Sequence, residues 1–389
     1  MKKRILVGIL VALIVVLGGA GGVGWYYSNV LKDGALVVND QPAAPDLVVA
    51  SVEGERITLE TTDATDLEYG NWKRPGEWGL AWDGGYARVG EIVELKDNSV
   101  TRRFEPLPDI PAAGMKVRVD GTAFEGNPLS ARGLSFQEVS YPGELGTLHA
   151  WFIPGTSSTW AIFTHGMGQT PKESLRFLPP LANAGLPILA ISYRNDTGSP
   201  ASRSGYYEYG ETEWRDLEAA VQYALDGGAN DIVLYGVSMG GAITVSFLYH
   251  SELAGKVRAV ILDAPATDFS DEINLGAEHR NLPGPVTWIG KLVSSWRFGF
   301  KWTDRDFISH VERLKVPVLV FHGDADRSVP IRLTERLAAA QPDRVTFLRV
   351  PGASHLTSWN TNPVAYEDAI SAFLARVLGP TPPPAVSPG

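Results

Sequence analysis

The apolar and polar positions along this chain change rhythm several times, and each change marks a boundary. After Lys2, Lys3 and Arg4, the run from Ile5 to Trp25 holds 21 residues without a charge. As a helix such a run reaches about 30 Å, the thickness of a bilayer core. Trp25, Tyr26 and Tyr27 follow at the depth where amphipathic rings favour the membrane interface. Basic residues before the run and aromatics after it predict a single-pass anchor over residues 1–27, in the cell membrane, with the remaining chain extracytoplasmic. A second reading stays open. The most apolar part, Ile5 to Leu17, is 13 residues long and is followed by Gly18, Gly19 and Ala20, as in a cleaved signal peptide that would leave a secreted protein.

Residues 28–45 are mixed and turn-rich and read as a spacer. Over residues 46–132 short alternating runs recur, such as Leu47 to Val52, Arg56 to Leu59, Glu91 to Leu95 and Met115 to Val119, divided by Asp83-Gly84-Gly85 and Asp120-Gly121. Alternation with turn signals predicts a small β-rich region. Trp72, Trp78 and Trp82 cluster in it and suit either a packed β core or a ligand platform. From residue 133 to 379 apolar strands alternate with helical stretches: Trp160 to Phe163, Leu186 to Ser192, Asp231 to Tyr235, Val257 to Leu262, Val316 to Phe321 and Val345 to Val350 are the strands. This rhythm predicts an α/β fold, a mostly parallel sheet with helices on both faces. Residues 267–313 interrupt it at a length no ordinary connection needs, and are expected to form an inserted cap. Residues 380–389 carry four Pro besides Pro380 and read as a disordered tail.

Composition then removes several functions. The 34 Lys plus Arg are outnumbered by 44 Asp plus Glu, a net charge of −10, and no basic run follows the first residues. Binding along a nucleic-acid phosphate backbone is therefore not expected. With no Cys there is no disulfide, no thiolate metal site and no Cys nucleophile. His149, His250, His279 and His310 show no metal-ligand spacing, so neither a metal nor an organic cofactor is implied.

The strongest chemical signal is Gly236-Val237-Ser238-Met239-Gly240-Gly241, set between the strand Asp231 to Tyr235 and a helical stretch. A sharp strand-to-helix turn pushes the serine into an exposed, strained position, and the crowded backbones require small neighbours. A serine hydroxyl needs a base, and the base needs a carboxylate to orient it. Downstream come His322-Gly323-Asp324-Ala325-Asp326-Arg327-Ser328-Val329-Pro330 and, after the last strand, Pro351-Gly352-Ala353-Ser354-His355. These motifs resemble those of the α/β-hydrolase superfamily, most closely its serine aminopeptidase-like and lysophospholipase-like group. Tyr193-Arg194-Asn195 stands here in place of that group's Y-R-G.

The resemblance spans about 245 residues, from Leu134 to Leu378, and implies Ser238 as nucleophile, Asp326 as acid and His355 as base. Their gaps are 88 and 29 residues (326 minus 238, 355 minus 326). Asp324 and Asp263 remain competing acids, and His165 and His322, each before a glycine, are expected to be hydrogen-bonded in turns. Two backbone N–H groups should meet the developing oxyanion: that of Met239, and that of Met167 in His165-Gly166-Met167-Gly168, which resembles the family's H-G-x-G. In the cap, Trp288, Trp296 and Trp302 are candidate substrate-binding walls. The implied activity is hydrolysis of a small or medium acyl ester, with lipid-derived esters among the candidate substrates. Serine peptidase and acyltransferase activities would use the same triad, and a binding protein on the same fold is the non-catalytic option.

Overall fold

A computed structural model describes residues 2–38, 44–61, 71–105 and 110–379. Most of the spacer after Val38 and the Pro-rich tail at 380–389 lie outside the described residues. Helix α1 runs over Lys2–Leu31, so the boundary expected after Tyr27 falls inside a helix. At 1.5 Å per residue its 30 residues reach about 45 Å. It is the one helix among the described residues long and apolar enough to cross a membrane. Its far end is not free: Gly24, Ser28 and Leu31 are buried, along one helical face. A π turn at Lys32–Leu36 follows, and the Leu36 carbonyl accepts a 2.9 Å hydrogen bond from the N–H of Tyr207.

The β-rich region closes into a barrel. Its strands are β1 (Leu47–Glu53), β2 (Arg56–Thr61), β3 (Trp78–Trp82), β4 (Gly85–Leu95), β5 (Ser99–Glu105) and β6 (Lys116–Asp120), in the order β1-β2-β5-β4-β3-β6. Alternate residues point inward, so Leu47, Val49, Ile57, Leu59, Val100 and Val117 fill one core. Trp72 and Trp78 are 1% and 0% exposed and belong to that core, not to a ligand platform. The barrel also buries Arg102 completely. Its guanidinium donates to four carbonyls, those of Trp72, Arg74, Gly76 and Gly90, and so ties the segment before β3 to the barrel wall. Burial, opposed only in part by the nearby Glu77 carboxylate, pulls its pKa down to about 10.

The second unit is an eight-stranded sheet, with β7 (Gln137–Pro142), β8 (Thr147–Ile153), β9 (Thr159–Thr164), β10 (Ile188–Ile191), β11 (Asp231–Val237), β12 (Val257–Asp263), β13 (Val318–Gly323) and β14 (Val345–Val350). The order is β14-β13-β12-β11-β9-β10-β8-β7, parallel from β14 to β10 and antiparallel at the β8 and β7 edge. Central strands are apolar on both faces because both are covered. Ile162, Leu234, Val260 and Val320 face one helical layer, and Phe163, Tyr235, Ile261 and Phe321 face the other.

The helices α2 (Pro128–Arg132), α3 (Leu178–Asn183), α4 (Trp214–Asp226) and α5 (Met239–His250) come before the cap. The cap holds α6 (Phe269–His279) and α7 (Gly284–Phe298) between β12 and β13, and α8 (Ile331–Ala340), α9 (Ser358–Thr361) and α10 (Pro363–Leu378) follow. The expected α/β architecture, a mostly parallel sheet with helices on both faces and an insertion before β13, holds. Asn195 shows how a departure from the motif is absorbed: it adopts φ 71°, the left-handed region the usual glycine would occupy and Asn tolerates better than most residues.

Candidate active site

The site grows out of the turn from β11 to α5. Ser238 sits there at φ 50°, ψ −120°, outside the regions open to ordinary side chains. The flanking glycines are required by contact. A Cβ on Gly236 would fall 2.4 Å from the Gly240 carbonyl oxygen, and one on Gly240 would fall 2.1 Å from that of Thr164. Hydrogen bonds from the Ser238 N–H to the Asp263 carbonyl (3.0 Å) and from the Ala266 N–H to the Ser238 carbonyl (3.0 Å) hold the turn in place.

Three residues distant in sequence meet at this turn. Ser238 Oγ lies 2.9 Å from His355 Nε2, and His355 Nδ1 lies 2.7 Å from Asp326 Oδ2. The Asp326 side chain is fully buried, and its other oxygen accepts from the N–H groups of Ser328 and Val329 at 2.8 and 2.9 Å. Burial alone would raise the pKa of this carboxyl. The neighbouring His355 and His322 outweigh it and hold the group well below the usual carboxylate range. Burial likewise opposes a charge on His355, yet Asp326 prevails and moves the imidazole above its ordinary value.

The competing residues are otherwise engaged. Asp324 accepts from the N–H of Gly352 at 2.7 Å and braces the loop ahead of His355. Asp263 accepts from Ser358 Oγ and the Tyr366 hydroxyl, each at 3.0 Å, and burial pushes its carboxyl up to about 6. His165 is buried, 2.9 Å from Asp196 and stacked on Tyr193. His322 bonds Thr334 at 2.7 Å and the Val329 carbonyl at 3.1 Å. Among the described residues no three His, Asp or Glu side chains gather as a metal site would need.

The loop after β9 reaches the serine because Gly166 has no side chain; a Cβ there would lie 3.3 Å from Ser238 Cβ. The N–H groups on either side of Met167 are occupied, Gly166 donating to Glu173 (2.8 Å) and Gly168 to the Tyr207 hydroxyl (3.3 Å). The Met167 N–H between them makes no hydrogen bond among the described residues. Met239 is the first residue of α5, where N–H groups have no partner within the helix.

The aromatic wall expected from Trp288, Trp296 and Trp302 does not form. Trp288 and Trp296 are 64% and 76% exposed on the outer face of α7. Trp302 turns inward, stacking on Phe269 at 5.4 Å. The tertiary contacts of α7 bury Gly290 and Ser294 and leave Trp288 and Trp296 on its outer side. The ring beside the Met167 loop is Tyr209, stacked on Phe269 at 3.9 Å with its hydroxyl 3.3 Å from Met167 Sδ.

Sequence reasoning missed a buried relay. Glu173 also accepts from Arg176 (3.2 Å), whose guanidinium donates to the Leu356 carbonyl (2.7 Å) and to Asn360 Oδ1 (3.0 Å). One ion pair thus ties the Met167 loop to the His355 loop. Its trace in the sequence is two opposite charges three residues apart beside the apolar Leu175, Phe177 and Leu178. The relay continues into the barrel: Asn360 Nδ2 donates to the carbonyls of Glu77 (2.7 Å) and Gly121 (2.9 Å), and Ser354 Oγ donates to Asn71 Oδ1 (3.0 Å). Arg74 bonds the Gly352 carbonyl as well.

A family model described as alpha/beta hydrolase family matches residues 152–369, more than half of the chain. The chain belongs to the alpha/beta hydrolase family. A second model, a domain of unknown function, matches residues 48–120, the barrel. Among relatives, the uncharacterized protein YqkD of Bacillus subtilis is 23% identical over 228 residues, 57% of this chain and 72% of that one. Human ABHD12B is 27% identical over 192 residues, 45% of this chain and 48% of that one. Two solved structures share the fold. The Pyrococcus furiosus esterase Pf2001 is 18% identical at TM-score 0.52, over 66% of this chain and 97% of that chain. A Mycobacterium tuberculosis puromycin-hydrolyzing peptidase is 20% identical at TM-score 0.51, over 87% of this chain and 49% of that one. Family and fold together make this alpha/beta hydrolase a hydrolase.

Proposed function

We propose that this hydrolase is an exported, membrane-anchored serine hydrolase that cleaves carboxylic esters of small or medium acyl chains through an acyl-enzyme. The observation that carries the reading is the unbroken series Ser238 Oγ, His355 Nε2, His355 Nδ1, Asp326 Oδ2, with 2.9 and 2.7 Å steps. Ser238 Oγ attacks the ester carbonyl while His355 Nε2 takes its proton, and the buried Asp326 stabilises the imidazolium. The N–H groups of Met239 and Met167 receive the oxyanion, each about 3 kcal/mol in the transition state. The tetrahedral adduct collapses, the C–O bond to the alcohol breaks, and the alcohol leaves with the proton from His355. Water then attacks the acyl-enzyme with the same residue as base, returning the acid and the free serine. Nothing in this sequence calls on a metal or cofactor, and the partners are a small acyl ester and the membrane that holds α1.

A fluorophosphonate probe tests the nucleophile: labelling of the native chain and none of Ser238→Ala is expected. Rates on p-nitrophenyl esters of increasing chain length, set beside aminoacyl-p-nitroanilides, test the substrate class. Faster turnover of the amides would replace the ester reading with a peptidase, as in the M. tuberculosis puromycin-hydrolyzing peptidase of the same fold.

A further inference from the structure

Helix α7 of the cap packs along the far end of α1. A Cβ on Gly24 would fall 2.6 Å from Val293 and 2.8 Å from Ile289, and one on Gly290 would fall 3.2 Å from Tyr27 Cβ. The Arg297 guanidinium lies 3.7 Å from the centre of the Trp25 ring and bonds the Trp25 carbonyl, Ser28 Oγ and Asn29 Oδ1. Gly24 lies in the apolar run that starts at Ile5, one residue before the aromatic cluster Trp25, Tyr26 and Tyr27, and the next charge is Lys32. If that run spans a bilayer, α7 crosses α1 where the hydrocarbon gives way to headgroups.

At that level α7 carries a second apolar stripe. Trp288, Leu292 and Trp296 are four residues apart and 64%, 54% and 76% exposed. They sit about 100° round the helix from Ile289 and Val293, so they flank the α1 contact instead of opposing it. Nothing on α7 resists a lipid surface: its sequence holds Lys291 and Arg297 and no carboxylate. Trp25 and Tyr26, 49% and 62% exposed on α1, continue the same aromatic level. A contiguous exposed apolar face of this kind on a folded domain marks an interaction surface.

We propose that α7 lies in the membrane interface, with Trp288, Leu292 and Trp296 set among the lipid headgroups and upper acyl chains, so that the cap is docked on the bilayer and not merely tethered near it. Tryptophan is the residue that favours this depth, and a cationic helix suits an anionic leaflet. The proposal rests on α1 spanning the membrane. It also sets at the lipid surface the cleft of about 180 Å³ that α1, α6 and α7 enclose, lined by Tyr27, Leu31, Ile273, Ala277 and Gly290. Amphiphilic esters partitioned in the outer leaflet then meet the enzyme without crossing water.

The chain has no Cys, so single labels can be placed on the full-length protein. Trp288→Cys, Leu292→Cys and Trp296→Cys, each spin-labelled and reconstituted in phosphatidylethanolamine–phosphatidylglycerol vesicles, are compared with Ile14→Cys in the apolar run and Asp343→Cys on the hydrolase surface. The expected result is that the three α7 labels are relaxed by dissolved oxygen more than by a water-soluble nickel chelate, as at Ile14, whereas Asp343 shows the reverse. Labels on α7 that behave like Asp343 while Ile14 stays lipid-protected overturn the docking and leave the anchor standing. A water-exposed Ile14 label overturns both. Dipolar broadening at α7 that vanishes on dilution with unlabelled chain overturns the docking in favour of a second copy on this face.

Discussion

The hydrolase core is held from two sides by different physics. On one side the barrel meets the loop of His355 through directional polar contacts: Asn71 with Ser354, Arg74 with the Gly352 carbonyl, and Glu77 with Asn360. On the other side α1 and the turn after it are held by apolar packing of Gly24 on Ile289 and Val293 and by burial of Leu31 and Leu36, with Arg297 adding hydrogen bonds to Trp25, Ser28 and Asn29. Hydrogen bonds weaken steeply with misalignment and so fix a loop in place. Apolar burial is non-directional and holds a surface without fixing an angle. The barrel side therefore bears on the position of the base, and the anchor side on the placement of the cap.

Four outcomes would break or sharpen that contrast. The floor for both sides is Ser238→Ala, expected to lower kcat by roughly a million-fold with an unchanged melting curve, because only the nucleophile is lost. Retained turnover would remove the point on which both sides converge.

Next in size, Asp326→Asn should cost about 10,000-fold in kcat, whereas Asp324→Asn, which keeps an oxygen able to accept from the Gly352 N–H, should stay within about tenfold. Since His355 acts as a base only when neutral and its pKa is raised, kcat/KM should fall as pH drops through a value above the ordinary 6.5 or so. In Asp326→Asn that limb should move to lower pH. An unchanged limb would separate the titration from this pair.

A third measurement concerns stability beneath the His355 loop. The raised Asp263 carboxyl keeps its proton in the folded chain after an unfolded one, near 3.8, has lost it. Its contribution is fully present below that value and is lost as pH rises through about 6. Denaturant unfolding of Asp263→Asn against the native chain should accordingly show a larger loss at pH 3.5 than at pH 8, by about 2–3 kcal/mol. Equal losses would mean that the buried carboxyl is not protonated in the fold.

The smallest effect separates the two sides directly. Asn360→Ala removes the hinge between barrel, Arg176 and the His355 loop, and should lower kcat on a soluble p-nitrophenyl ester about tenfold, roughly 1.4 kcal/mol, with KM little changed. Arg297→Leu on the anchor side should change it by less than about twofold. Equal effects on kcat would erase the distinction.

The turn around Ser238 was legible because its constraint is local: Gly236 and Gly240 are needed within two residues of Ser238, so the motif is contiguous. The sheet was legible for the same reason, since strands buried on both faces are written as apolar runs. What escaped was carried by contacts between distant residues. Asn71 and Ser354 are 283 positions apart, and neither has a sequence feature that points to the other. The closed barrel was seen only as alternating strands, because closure depends on β1 pairing with β6, across most of the region. In the cap, Trp288 and Trp296 read as candidate substrate walls yet stand exposed, because composition does not say which side of α7 the rest of the chain covers.

The union of the barrel with the His355 loop also bears on the order in which the enzyme comes into being. The barrel uses residues 47 to 120 and closes from its own strands, whereas the loop it grips spans Gly352 to Asn360, near the end of the chain. A nascent chain emerging from its N-terminus can complete the barrel long before its docking partner exists. The base then reaches its seat only when the last strand of the sheet has been laid down and the two ends of the polypeptide meet. Assembly of the Ser238–His355 pair is a late event in the making of the molecule, and a chain stopped short of residue 352 would leave a finished barrel beside Ser238 with no His355.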